Sequence, residues 1–262
     1  IIDNSLSTYN PNSLISRLNS GDTLIKLDDH FIRVFKAAHE ISSESNGYFD
    51  FTVAPLVEAW GFGLEEPKEL DSTAIVKLLN KVGYSDLYLK GDSLLSNPEL
   101  KILDFNAIAQ GYTIDIISEF LDSNLVDNYL IEIGGELKTK GLNSRKNKWR
   151  IGIDKPKLEL DITDRFQVIL KLQNKSLATS GNYRNYYEKD DKFYTHIINP
   201  ITGHPVQQSL LSVSVISDDC MTADAYATTF MVMGIQKTKE FLLEKTNLDA
   251  FLIFANDDGS LD

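Results

Sequence analysis

Strand-like segments gather after the first hundred residues of this chain, and no regular strand–helix–strand alternation orders them. Runs rich in β-branched and aromatic residues fall at 101–105, 129–133, 149–153, 166–172, 193–197, 211–216 and 250–254, several with alternating polarity. Helical periodicity precedes and interrupts them. Asp28 stands where an N-cap belongs, ahead of Phe31, Val34, Phe35, Ala38 and Ile41 on one face. The spacing predicts a second helix over 71–82, with Ile75, Leu78, Leu79 and Val82 as its buried stripe and Gly83 as its stop. A third is predicted to start near Ala107 and to carry Ile116, Ile117, Phe120 and Leu121. Another is expected over 221–233, with one more before Asn247. Helices and strands in this mixed order favour an α+β fold with a largely antiparallel or mixed sheet.

At 262 residues the chain can bury a substantial core, as one large domain or two small ones. Its formal charge of -12 argues against a nucleic-acid partner, because phosphate backbones need a basic face. Acidic proteins that handle anionic ligands recruit a cation or use backbone N–H groups. Cys220 is the only cysteine, so neither an internal disulfide nor a thiolate metal cluster can form. No apolar run is long enough to span a bilayer. The chain opens on Ile1 rather than methionine and is expected to be an excised piece whose signal or anchor segment, if any, has been removed.

Five stretches carry candidate chemistry. Asp104-Phe-Asn-Ala-Ile-Ala-Gln-Gly111 is predicted to pass from strand into helix, where small residues admit a ligand to the new helix's N–H groups; a tight turn explains it too. Glu132-Ile-Gly-Gly-Glu136 follows a strong strand. Its glycines permit positive φ and close approach of a phosphate, or simply a hairpin. Ala178-Thr-Ser-Gly-Asn182 offers hydroxyls and a glycine, with Tyr183, Tyr186 and Tyr187 near enough to flank an aromatic ring; an ordinary polar turn is the alternative. His196 ends a strand beside Asn199-Pro and Thr202-Gly203, where it could act as a general base or merely be hydrogen-bonded. His204 lies in the turn itself and ranks lower. Asp224 and Thr228, four apart on one helix face, are hard oxygen donors suited to magnesium or calcium. Small residues around Asp224 predict close packing, in which an uncompensated carboxylate is costly.

Taken in order, these motifs resemble those of the ApbE family, the FAD:protein FMN transferases. The resemblance also rests on Leu6-Ser-Thr-Tyr-Asn-Pro11 with Ser13, on Arg17-Leu-Asn19, on Gly47-Tyr-Phe-Asp-Phe-Thr-Val-Ala-Pro-Leu56 and on Trp60-Gly61. It covers nearly the whole chain and implies a single domain over 1–262, lacking the family's opening strand upstream of Ser7. It implies an α+β fold with flanking helices, FAD held in a cleft, and magnesium on the pyrophosphate. By similarity the Ala107 carbonyl, the Asp224 carboxylate and the Thr228 hydroxyl are the metal ligands. Gly134, Gly135, Thr179, Ser180 and Gly181 are the flavin and phosphate contacts, and His196 is the catalytic base. Gln110 departs from the pattern, standing where many relatives carry lysine.

The activity implied is transfer of FMN from FAD to a threonine or serine hydroxyl of an acceptor protein, with AMP leaving. The family's acceptors are flavin-carrying subunits of membrane redox complexes. Relatives are commonly exported or lipid-anchored, which implies an extracytoplasmic, periplasmic site. Hydrolysis of FAD to FMN and AMP would use the same residues, and a flavin carrier without turnover is a third reading. A metal pair at Asp224 and Thr228 favours an enzyme over a carrier, since storing flavin needs no cation at the pyrophosphate.

Overall fold

A computed structural model describes residues 1–22, 24–63, 70–96, 101–156, 165–182, 186–189, 192–207, 209–256 and 261. They fall into two compact units, one of Ile1–Ala109 with His196–Val206 and one of Gln110–Thr195 with Gln207–Asp262.

The first unit is mainly helical. It holds α1 (Ile2–Leu6), α2 (Leu14–Asn19), α3 (Asp29–Glu44), α4 (Ala54–Ala59) and α5 (Ser72–Leu79). A 3-10 turn (Tyr84–Asp86) then leads into the antiparallel hairpin β1 (Leu87–Lys90) and β2 (Ser93–Ser96). Three of the helices begin at side-chain caps: Ser13, Asp28 and Asp71 accept from the N–H groups of Ser16, Phe31 and Ala74. The predicted stripe of α3 is buried, and Phe31 and Phe35 meet Phe105 and Phe51 edge-on at 5.4 and 5.3 Å between ring centres.

Two expectations fail in this unit. The second helix ends at Leu79 rather than at Val82, and of its stripe only Ile75 is fully buried. The Asn80 carbonyl is bound by the Lys101 ammonium at 2.9 Å, which satisfies one of the helix's terminal acceptors. Gly83, at φ 151°, instead introduces the 3-10 turn and donates its N–H to the Thr52 hydroxyl. Residues 101–105 form no strand. The Asn19 side chain takes a strand partner's place, accepting from the Leu103 N–H and donating to the Leu103 carbonyl, both at 2.8 Å. Asp104 N–H donates to the Phe51 carbonyl at 2.7 Å.

The second unit carries the main sheet. Its elements are α6 (Ala109–Ser123, the first residue in the other unit), β3 (Tyr129–Ile133), β4 (Glu136–Lys140), β5 (Trp149–Asp154), β6 (Phe166–Leu172), β7 (Ser176–Gly181), β8 (Tyr186–Lys189), β9 (Lys192–Thr195), β10 (Leu210–Ser217), α7 (Cys220–Glu244) and β11 (Asp249–Phe254). Five strands pair in the order β11-β10-β7-β4-β3, with β5–β6 and β8–β9 as separate hairpins. Every named pair is antiparallel, as the sequence pattern favoured. Leu137, Leu177 and Ile253 of the large sheet pack with Ile151, Ile153 and Leu172 of the β5–β6 hairpin.

Helix α7 packs on β7 and β10. It breaks at Gly234, whose φ of 77° and ψ of 176° are not helical, so the two predicted helices stand on either side of one kink. Helix α6, expected from near Ala107, starts at Ala109; of the apolar residues it was expected to carry, Ile116, Ile117 and Leu121 are partly buried and Phe120 is 65% exposed. Its buried face is Gly111, Tyr112, Ile114, Asp115 and Ser118.

Candidate functional site

The geometry of the second unit is set where α6 meets α7. Asp115 reaches the start of α7 and accepts from the N–H groups of Cys220 (3.0 Å) and Met221 (2.9 Å). These are among the N–H groups a helix start leaves unpaired, and a carboxylate there is also favoured by the helix dipole. Lys138 of β4 pairs with the same carboxylate at 2.7 Å. One turn earlier on α6, the Gly111 N–H donates to Asp224 Oδ2 at 2.9 Å. Each helix therefore supplies an acid to the start of the other. The approach is close enough to require glycine: a Cβ on Gly111 would lie 2.8 Å from the Asp224 Cβ and nearer still to the Cys220 carbonyl.

Asp224 is 8% exposed, and burial pushes its carboxyl up to about 8, with the charge of Glu136 adding and the Gly111 N–H opposing. Thr228 follows one turn on and is partly exposed. Ala107 lies in the turn ahead of α6, in the first unit. No group of three or more histidine, cysteine or acidic side chains placed to hold a metal occurs among the described residues. What is present is one buried carboxylate with a hydroxyl four residues on. That set fits a hard cation that takes few protein ligands and completes its shell with phosphate oxygens and water.

Gly134 and Gly135 form the two-residue turn of the β3–β4 hairpin, at φ 65° and 120°. Gln110, second residue of α6, lies beneath it, its amide donating to the Ile133 carbonyl at 2.7 Å and to the Glu136 carboxylate. Because β4 runs antiparallel to β7 through Leu137–Leu177, this turn and the C-terminal end of β7 share one end of the sheet. Thr179, Ser180 and Gly181 end that strand. Their side-chain directions alternate, so Thr179 and Ser180 present opposite faces. Thr179 Oγ1 pairs with Ser214 Oγ of β10 at 2.7 Å, and Asn182 closes the strand with a side-chain N–H donated to the Leu210 carbonyl. Tyr183 and the side chains of Tyr186 and Tyr187 lie outside the described residues.

His196 belongs to the first unit, where its ring meets Phe62 at 6.4 Å. The turn after it is built tightly. Asn199 Oδ1 accepts from the Ile201 and Thr202 N–H groups, and Trp60 Nε1 donates to the Gly203 carbonyl at 2.8 Å. Gly203 sits at φ 75°, against Ile75, Leu79 and Leu56. Asp104, also in this unit, has its carboxyl pushed up by burial. Sequence reasoning missed Asp115 and Glu136 as parts of the site. An acid one turn after Gly111, on the helix that opens the Asp104–Gly111 motif, was the readable signal for Asp115.

An α+β protein with a diglycine turn and a helix-held acid in one unit is suited to an anionic ligand carrying a hard cation. The ApbE family model matches residues 1–252, and the chain belongs to the ApbE family. A Vibrio cholerae protein named FAD:protein FMN transferase is 36% identical over 98% of this chain and 77% of its own. The solved flavin transferase ApbE of Vibrio cholerae superposes with a TM-score of 0.86 at 32% identity, over 100% of this chain and 83% of that one. The apo flavinyl transferase ApbE of Pseudomonas stutzeri gives 0.87 at 31% identity, over 100% and 81%.

Proposed function

We propose that this chain is a magnesium-dependent FAD:protein FMN transferase, moving FMN from FAD to a threonine or serine hydroxyl of an acceptor flavoprotein and releasing AMP. The observation that carries the reading is Asp224, a buried carboxylate held at the start of α6 by the Gly111 N–H, in a family with relatives named FAD:protein FMN transferase. Magnesium, when bound, neutralises charge on the pyrophosphate. Asp224 and Thr228, with the Ala107 carbonyl, are its protein ligands. Gly134 and Gly135 offer backbone N–H groups to phosphate oxygens, and the end of β7, Thr179 to Gly181, lines the flavin nucleotide. His196 takes the proton of the acceptor hydroxyl as that oxygen forms its bond to the FMN phosphorus and the bond to the AMP oxygen breaks. The acceptors are flavin-carrying subunits of membrane redox complexes, and the protein works outside the cytoplasm, in the periplasm, tethered by lipid. These two statements rest on the family resemblance; fractionation of the native host's cells tests the second.

The test is incubation with FAD and magnesium, with and without a threonine-containing acceptor peptide, following AMP release and peptide mass. A peptide heavier by one FMN, formed only with metal, is the expected result. AMP and free FMN with unmodified peptide would make the chain a pyrophosphatase. Neither product would leave a flavin binder.

A further inference from the structure

Gln110 has two amide hydrogens, and the structure gives each an acceptor on opposite shoulders of the Gly134-Gly135 turn. One goes to the Ile133 carbonyl at 2.7 Å and one to the Glu136 carboxylate. The turn rests on this amide so closely that a Cβ on Gly134 would run into Nε2. The next residue, Gly111, donates its backbone N–H to Asp224 at 2.9 Å. Two consecutive residues of α6 thus reach the two parts of the site in this unit, one through a side chain and one through the main chain. Helix α6 itself is anchored by Asp115 on the first N–H groups of α7.

We propose that Gln110 is a positioning residue: its side-chain amide latches the diglycine turn to the first turn of α6 and so fixes the turn's backbone N–H groups relative to Asp224. Two glycines in a row at positive φ can adopt many shapes, and a turn left to itself loses that freedom only on binding. The latch removes it beforehand, so the ligand meets a formed cradle. The requirement is for two donors at one point, reaching a carbonyl and a carboxylate. A lysine ammonium meets it, with three donors and a flexible stem. A glutamate reverses it, offering only acceptors beside Glu136. Methionine keeps the length and removes the donors.

The inference rests on the reading of the turn as a phosphate cradle. Its test is therefore FAD binding, by fluorescence, measured with magnesium beside turnover and thermal stability. Gln110→Met is expected to weaken FAD binding and raise KM by about tenfold, with kcat within about threefold of the parent. Gln110→Lys is expected to keep both constants within about threefold of the parent, and Gln110→Glu to be weaker than Gln110→Met. Unchanged FAD affinity in Gln110→Met would overturn the latch. So would a Gln110→Lys protein that binds as poorly as Gln110→Met, or a lowered Tm with unaltered KM, which would make the amide a hairpin support only. A parent that binds FAD without transferring FMN would sink the transferase reading and leave the latch to be judged by affinity. A parent that binds no FAD would sink both.

Discussion

Asp224 has two possible employments, and a single substitution separates them. The bond it accepts from Gly111 could equally be accepted by an asparagine, which carries no charge to desolvate. The carboxylate is thus a costly choice for a purely structural role, since burial and Glu136 already hold its proton up to about 8. A divalent cation recovers that cost. Asp224→Asn is expected to fold, with a Tm at pH 8 no lower than that of the metal-free parent. Its magnesium-dependent turnover of FAD should fall about a hundredfold or more. Normal turnover in that variant would remove Asp224 from the metal site. His196 calls for the other kind of measurement. His196→Ala should retain FAD binding while transfer slows about a hundredfold or more. Lost binding with normal turnover of whatever still binds would make it a binding residue.

The α6–α7 contact shows what local sequence could and could not convey. The cap at Asp28 was legible because a cap is a local event, a side chain meeting an N–H three residues on. The break in α7 was legible as the gap between two predicted helices around Gly234. The buried face of α6 was not. It is set by a partner 113 residues away, Asp224 for Gly111, which no local spacing announces. Residues 101–105 read as a strand because their composition suits one, and only the fold reveals Asn19 in the neighbour's place. The candidate site was legible as motifs because glycines, hydroxyls and acids stand in short runs; that Thr179 is engaged by Ser214 was not. At this scale Asp115 carries the sharpest expectation. Asp115→Ala strands the Lys138 ammonium and bares two α7 N–H groups, so stability should drop by about 3–5 kcal/mol. Urea unfolding measures it, and a loss below about 1 kcal/mol would mean that α7 is held by its packing and its Asp219 cap without Asp115.

Across the whole molecule, burial leaves one electrostatic signature. Asp50, Asp104, Glu136 and Asp224 all have carboxyls raised by burial, in a chain whose formal charge is already -12. For an acid whose folded value lies above its unfolded one, the folded state keeps the proton longer. The stabilisation is then complete below the unfolded value and is lost as pH rises through the folded one. For Asp224 that window runs from the ordinary 3.8 up to about 8. Within it, Asp224 withdraws at most about 1.4 kcal/mol per pH unit. Asp122, held down by Lys140, acts in the opposite sense but is exposed, where solvent screens it. The metal-free protein is therefore expected to lose thermal stability steadily between about pH 5 and pH 8. Asp224→Asn should flatten part of that slope, and magnesium with FAD should restore Tm most strongly at the alkaline end, because a cation binds the deprotonated carboxylate and stabilises whichever state holds it. A melting temperature that rises across this range in the metal-free protein would contradict the burial of Asp224. A slope identical in the parent and in Asp224→Asn would remove Asp224 as its source.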